Sequence, residues 1–220
     1  MPAASKKAIL AELQRLYPDA KPELNFSNPY ETLVATILSA QCTDKQVNKV
    51  TPAVFARFPD AVSMAAATVD ELYPMVKSCG FKNKASNIIE ACKIIALKHG
   101  GEVPKTMEEL TALPGVGRKT AHVVMANAFG TPAIAVDTHV FRVSNRLGLA
   151  DAEDVLKTEL QLQKAIPKSD WSAAHHWLIF HGRRVCKAQR PLCESCTLRE
   201  MCKARRQEKK TAKAAKAVEA

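Results

Sequence analysis

Apolar residues recur along most of this chain at intervals of three and four, which is the spacing of an amphipathic helix. The pattern is clear over residues 5–17, 83–99, 118–129 and 152–165. We find no run of alternating apolar and polar residues that is long enough to build a sheet. The sequence therefore predicts an all-α fold.

Helix starts are marked by a repeated signal, in which Asn or Thr is followed three residues later by Glu or Gln. The pairs are Asn28 with Glu31, Thr43 with Gln46, Thr68 with Glu71 and Thr106 with Glu109. The signals are closely spaced, so they predict a series of helices joined by short loops.

A glycine hairpin lies between two of these predicted helices. It has the sequence Leu113-Pro114-Gly115-Val116-Gly117-Arg118-Lys119-Thr120, and the helix after it is expected to end at Gly130. Glycines without Cβ atoms leave N–H groups accessible at a helix N-terminus, where an anion such as phosphate fits. The same residues are also compatible with a simple tight turn between helices.

Two residues near the hairpin are candidates for catalysis. Lys119 is expected in the first helical turn, where the positive end of the helix dipole disfavours the ammonium form and so favours a nucleophilic amine. Asp137 follows a short apolar connector and precedes a helix predicted over Thr138 to Arg146. Most helix lysines are merely solvated and an aspartate there is commonly an N-cap, so both alternatives stay open at this point.

Four of the seven cysteines are clustered within seventeen positions. They are Cys186, Cys193, Cys196 and Cys202. Such a cluster indicates a metal centre, and either zinc or an iron–sulfur cluster would satisfy it. Only one Cys-x2-Cys pair is present, which favours the iron–sulfur cluster. Cys42, Cys79 and Cys92 are scattered and are interpreted as small buried hydrophobes.

The net charge of +10 and the pI of about 9.3 favour an acidic polymer as partner, with DNA or RNA the commonest. Part of this charge lies in residues 205–220, an Ala- and Lys-rich tail that is predicted to be disordered. No apolar run approaches the roughly 20 residues of a membrane span, and no secretory signal is evident. We expect an intracellular protein without membrane contact, on the cytoplasmic nucleoid if it is bacterial.

Taken together, the hairpin, Val136-Asp137-Thr138-His139 and the cysteine loop resemble the endonuclease III family, the iron–sulfur branch of the helix-hairpin-helix DNA glycosylases. The resemblance extends from about Leu10 to Cys202. It implies a [4Fe-4S] cluster on the four cysteines. It also implies a six-helix domain over 22–131 and a discontinuous cluster domain made from 1–21 and 132–204.

The resemblance implies an activity as well, namely a bifunctional glycosylase and AP lyase that excises oxidised pyrimidines. Lys119 would attack C1′ of the sugar, form a Schiff base and allow β-elimination on the 3′ side. Asp137 would stabilise the cationic sugar and help to deprotonate Lys119 across a cleft between the domains. The partner would be double-stranded DNA with damaged bases or abasic sites, bound by a monomer.

The remaining implied contacts are with DNA. Gln41 and Phe81 would fill the gap left by a flipped base, and Phe81 stands where the family pattern has Leu. The hairpin residues Leu113, Gly115, Val116 and Gly117 would hold a phosphate through backbone amides. Lys187 and Arg190, in the first cysteine interval, would add contacts that do not depend on base sequence.

Two alternatives remain at this stage. One is a monofunctional mismatch glycosylase that removes adenine or thymine without a covalent intermediate, and the presence of Lys119 argues against it. The other is a non-enzymatic, redox-sensing DNA-binding protein, which leaves the pairing of Lys119 with Asp137 unexplained.

Overall fold

The computed structural model describes residues 5–218 of the 220 in the chain. These residues form helices and contain no strand, so the predicted all-α fold is confirmed. The α-helices are α1 Lys6–Leu16, α2 Pro29–Ser39, α3 Asp44–Arg57, α4 Ala61–Ala65, α5 Val69–Val76, α6 Lys82–Lys98, α7 Met107–Thr111, α8 Arg118–Phe129, α9 Thr138–Leu147, α10 Val155–Ala165, α11 Trp171–Arg184 and α12 Lys203–Val218. Short 3-10 turns cover Lys77–Cys79 and Lys168–Asp170.

The helix-start signals act as the sequence predicts. Asn28, Thr43, Thr68 and Thr106 are each the N-cap of a helix, and each side chain accepts a hydrogen bond from the backbone three residues later. No described helix is long and apolar enough to cross a membrane.

One compact unit comprises Pro22–Ala133 and contains α2 to α8. Its core is built around α2, which buries eight of its eleven residues and packs on α3, α6 and α8. Seven α-helices lie in this range, where six were predicted, and the additional one is the five-residue α4. Its capping pair is Asp60 with Ser63 rather than a residue followed by Glu or Gln, so its sequence signal is weak.

The second unit combines the N-terminal segment up to Lys21 with the residues from Ile134 onward. Here α11 packs on α1 and α9, and Leu13, Val140 and Leu178 are fully buried in the shared core. The expected change of domain at 131/132 lies two residues before the division at 133/134. Residues 1–4 of this expected domain lie outside the described residues.

The tail, for which the sequence predicts disorder from residue 205, carries helix α12 over Lys203–Val218. Residues 219–220 lie outside the described part. Ala, Lys, Arg and Gln all have high helix propensity. Ion pairs also fasten the start of α12, with Lys203 at 2.7 Å from Asp151 and Lys209 at 2.9 Å from Glu200.

Candidate active site

The hairpin between α7 and α8 depends on glycine at position 115. Gly115 has a φ of 77°, a conformation that residues with a Cβ rarely adopt. A Cβ added there would lie 3.0 Å from the Cβ of Asn87 on α6. The turn therefore requires glycine both for its backbone angle and for the close approach of α6.

The hairpin residues divide into two groups. Leu113 and Val116 are only 2% and 5% exposed, and the Val116 N–H donates to the Leu113 carbonyl at 3.1 Å. Gly115 and Gly117 are exposed, and within residues 5–218 neither amide donates to a backbone carbonyl. Leu113 and Val116 thus hold the turn in the core, while the two glycine amides are available to an anion.

Lys119 is the second residue of α8 and its side chain is exposed. The opposite side of the helix buries Ala121 and Val124 and packs on α2. Gly130 ends the helix in the left-handed conformation, with a φ of 64°. A buried helix face therefore fixes the direction of a helix whose first turn presents a lysine to solvent.

Gln41 and Phe81 are both presented to solvent from short segments between helices. Gln41 follows α2 with a φ of 57°, which is uncommon for a residue other than glycine. Phe81 precedes α6 and is 81% exposed. The ring of Phe81 is therefore not held by core packing and is available for contact with a partner.

Lys84 connects the segments that carry these two residues, and sequence reasoning missed it. Its Nζ donates to the carbonyl of Leu38 at 2.9 Å, to the carbonyl of Cys79 at 2.6 Å, and to the carbonyl of Ala40. One signal was available, because a lysine in the first turn of a helix faces the unfavourable end of the helix dipole.

Asp137 is the N-cap of α9. Its Oδ1 accepts hydrogen bonds from the backbone N–H groups of His139 and Val140, each at 2.8 Å. The carboxylate is half-buried, and the cap uses only one of its two oxygens. Capping therefore fixes the orientation of the side chain and leaves Oδ2 for another task.

The four clustered cysteines line one cavity between the end of α11 and the start of α12. The space is about 310 Å³, including the part open to solvent, and apolar residues such as Leu147 and Val185 complete its wall. All four thiols are free. No group of three or more His, Cys, Asp or Glu side chains within residues 5–218 is arranged to hold a single metal ion.

The surroundings of the thiols shift the pKa values of two of them in opposing ways. Burial raises the pKa of the Cys196 thiol, and the nearby thiols of the other three cysteines raise it further. The backbone N–H of Leu198 opposes this, as do those of Ala204 and Arg205 at Cys202. Four cysteines that line one cavity, with backbone N–H donors directed at two of their sulfur atoms, are a donor set that fits an iron–sulfur cluster.

Two arginines of α9 hold the loop that carries Lys187 and Arg190. The Arg146 guanidinium donates to the carbonyls of Lys187 at 2.7 Å and Ala188 at 3.1 Å, and Arg142 donates to the carbonyl of Cys186 at 3.1 Å. Lys187 and Arg190 are exposed, and Arg190 has a φ of 48°. Sequence reasoning missed both arginines of α9, although basic residues at i and i+4 of an amphipathic helix were a visible signal.

The sequence of the chain matches a known class of repair protein. Residues 34–168 match the model of the HhH-GPD superfamily of base excision DNA repair proteins, and the chain belongs to this superfamily.

Within this superfamily the chain belongs to the endonuclease III family. It is 52% identical to endonuclease III of Synechocystis sp. over 205 residues, which cover 90% of this chain and 94% of that protein. It is 50% identical to endonuclease III of Bacillus subtilis, with 88% and 90% covered. A solved structure of a trapped endonuclease III–DNA covalent intermediate matches with a TM-score of 0.87 and 48% identity, over 93% of this chain and 99% of that one.

Proposed function

We propose that this chain removes oxidised pyrimidines from double-stranded DNA and then cleaves the strand on the 3′ side of the abasic site. It is a DNA glycosylase and AP lyase of base excision repair. The observation that carries the residue-level proposal is the exposed lysine in the first turn of α8, directly after the glycine hairpin. A relative of 48% identity forms a trapped covalent intermediate with DNA, which supports a covalent mechanism here.

Lys119 is the proposed nucleophile. Its neutral amine attacks C1′ of the deoxyribose, and the bond from C1′ to the base breaks with its electron pair leaving on the base. Loss of a proton from the nitrogen and opening of the sugar ring give a Schiff base. Removal of a proton from C2′ then expels the 3′ phosphate, which is the strand cleavage.

Asp137 is the proposed electrostatic partner. The sugar gains positive charge as the base leaves, and a carboxylate held in one orientation stabilises that charge without reorganising. The cap through Oδ1 fixes the orientation of the carboxylate, and its Oδ2, which shares the negative charge, remains to face the sugar. The same carboxylate would help to deprotonate Lys119.

The target base must leave the duplex stack before C1′ can be reached, at a cost of about a few kcal/mol. Gln41 and Phe81 are proposed to fill the space that it leaves. The amides of Gly115 and Gly117 would hold a phosphate, and Lys187 and Arg190 would add phosphate contacts that are independent of base sequence.

Cys186, Cys193, Cys196 and Cys202 are proposed to hold a [4Fe-4S] cluster. When bound, the cluster would cross-link the loop through its iron–thiolate bonds. Arg142 and Arg146 hold the same loop from α9, so the basic side chains would be presented from a stiff frame. The visible absorption of the purified protein tests this, because a brown protein has the cluster and a colourless one lacks it.

The lysine assignment is tested by Lys119→Gln, with Lys98→Gln at the exposed end of α6 as the matched control. Borohydride should trap a DNA adduct with wild type and with the control but not with Lys119→Gln. Strand cleavage should fall by at least about a hundredfold in that variant while DNA binding survives. A trapped adduct with Lys119→Gln would mean that another residue is the nucleophile.

A monofunctional glycosylase would give no role to Lys119. A glycosylase assay with and without alkali separates the two activities, because a bifunctional enzyme cleaves the strand without alkali and a monofunctional one does not. The monomeric state and the place on the nucleoid stay predictions.

A further inference from the structure

We propose that Lys84 is the positioning residue of the wedge, by which we mean the side chains of Gln41 and Phe81 together. This inference rests on the proposed function, because the wedge matters only if a base is flipped. Lys84 itself would not touch the DNA; it would hold the two segments that present the wedge.

The Lys84 ammonium uses all of its hydrogen-bond donors on nearby backbone. It has three N–H donors, and three carbonyl oxygens accept from it. Two of these belong to Leu38 and Ala40, which lie three residues and one residue before Gln41. The third belongs to Cys79, two residues before Phe81. A single charged group therefore fixes the backbone beside both wedge residues.

The carbonyls that Lys84 binds lie where the backbone carries partial negative charge. Leu38 and Ala40 lie at the C-terminal end of α2, and Cys79 is the last residue of the 3-10 turn over Lys77–Cys79. Carbonyl groups at helix ends lack partners within the helix and carry partial negative charge. The ammonium neutralises both ends at once, which gives a reason for these two ends to meet at this lysine.

Gly80 leaves space for the side chain of Lys84. Gly80 has a φ of 139°, and a Cβ added there would lie 3.1 Å from both Cε and Nζ of Lys84. Glycine at this position therefore leaves room for the ammonium between the two segments. The residue that clears this space is the immediate neighbour of Phe81.

The wedge side chains have little else to position them. Gln41 is exposed with a left-handed backbone, and Phe81 is 81% exposed at a helix start without a side-chain cap. Core packing does not determine where either side chain points. The backbone on which each stands must therefore be held by other contacts, and Lys84 supplies them to both.

The test uses Lys84→Met, which keeps the length of the side chain and removes its charge and donors. Lys93→Met is the matched control, because Lys93 lies on the same helix in an exposed pair with Glu90 at 2.8 Å. Excision of an oxidised pyrimidine is measured in an intact duplex and in a single strand, where no stack has to be opened. A fluorescent base analogue opposite the lesion reports wedge insertion.

With Lys84→Met we expect kcat/KM on the duplex to fall at least tenfold relative to the single strand, with a weaker insertion signal. Lys93→Met should match wild type. In a Phe81→Ala background, Lys84→Met should have a smaller effect than in wild type, because only Gln41 remains to be positioned. Equal losses on both substrates, or independent effects of Lys84 and Phe81, would overturn the inference.

Two controls separate this inference from its premises. If Phe81→Ala itself does not change the ratio of duplex to single-strand activity, the wedge proposal fails, and if wild type forms no adduct, the proposed function fails. If Lys84→Met does not fold, Lys84→Arg is measured instead. A planar guanidinium cannot replace the compact ammonium that donates to three carbonyls, so the ratio should fall in the same direction, and an unchanged ratio would contradict the inference.

Discussion

At the scale of single residues, Asp137 is expected to carry two separable roles. Asn caps a helix about as well as Asp, so Asp137→Asn should retain stability but lose activity because the negative charge is gone. Asp137→Ala should lose activity and also about 1 kcal/mol of stability. Urea unfolding and single-turnover base excision measure the two effects.

The control for this prediction is Asp154→Ala. Asp154 is the N-cap of α10 and accepts from the Lys157 N–H at 2.8 Å, so its loss should lower stability by a similar amount and leave excision unchanged. If Asp137→Asn kept wild-type excision, Asp137 would be only a cap.

His176 should make folding sensitive to mild acid. Burial and the nearby Arg183 lower its pKa from the ordinary 6.5 to about 4, and its ring also packs against that of His175. Between these values the unfolded chain binds a proton that the folded chain does not. The stability that the neutral His176 ring contributes is therefore complete above pH 6.5 and is lost as the pH falls toward 4. Between pH 7 and pH 5 the free energy of unfolding should fall by about 2 kcal/mol.

Unfolding in urea at pH 7 and pH 5 checks this expectation. His176→Gln should lose part of the pH dependence, whereas His99→Gln at the end of α6 should keep it. An equal pH dependence in all three proteins would show that His176 is not responsible.

Lys119, Asp137 and the cysteine loop could be singled out from sequence as candidates because each lies in a local pattern, and their chemistry stays a proposal. The partners of Lys84 could not be predicted, although its place in a first helical turn was visible, since its three acceptors are supplied by residues up to 46 positions away and are brought to it only by folding. Arg142 and Arg146 are similar, because the carbonyls that they bind belong to a loop more than forty residues later.

At the scale of elements, prediction succeeded where capping and periodicity agreed. Helix α8 begins at Arg118 and ends at Phe129 as expected, because a glycine lies at each end and the interior is apolar. Helix α4 was missed because it has only five residues and a weak capping signal. Helix α12 could not be assigned from sequence, because a polar composition is shared by disordered tails and by helices fixed through ion pairs.

The hairpin offers a prediction at this scale. Gly115→Ala and Gly130→Ala each place a Cβ at positive φ, so each should lose about 1 kcal/mol of stability. At Gly130 no atom lies within 4 Å of the new Cβ, whereas at Gly115 it meets Asn87. Gly115→Ala should therefore be the less stable variant, and it alone should bind DNA more weakly.

Thermal unfolding and binding to an abasic-site duplex distinguish the two glycine variants. Equal DNA affinity for both would show that the hairpin amides do not hold a phosphate. Lower affinity for Gly130→Ala alone would place the phosphate contact elsewhere on the unit.

At the scale of the whole molecule, the net charge of +10 predicts binding to DNA that is dominated by phosphate contacts. Affinity should therefore fall steeply between low and physiological salt. Each lysine or arginine contact that is removed should reduce the slope of log affinity against log salt by about 0.9. Lys187→Met and Arg190→Ala test two such contacts. An unchanged slope of log affinity against log salt for either variant would show that the residue does not contact a phosphate.

Residues 210–220 are expected to strengthen binding to DNA through their positive charge. Residues 210–220 contain three lysines and one glutamate, so a chain that ends at Lys209 loses two positive charges and has a net charge of +8. It keeps the ion pair between Lys209 and Glu200 that fastens α12. Binding to undamaged DNA should weaken, with a slope smaller by up to about 2.7 if all three lysines meet phosphates. Excision at saturating enzyme and low salt should be unchanged, because Lys119 and Asp137 lie elsewhere in the chain. An unchanged salt slope would mean that the tail does not contact the DNA.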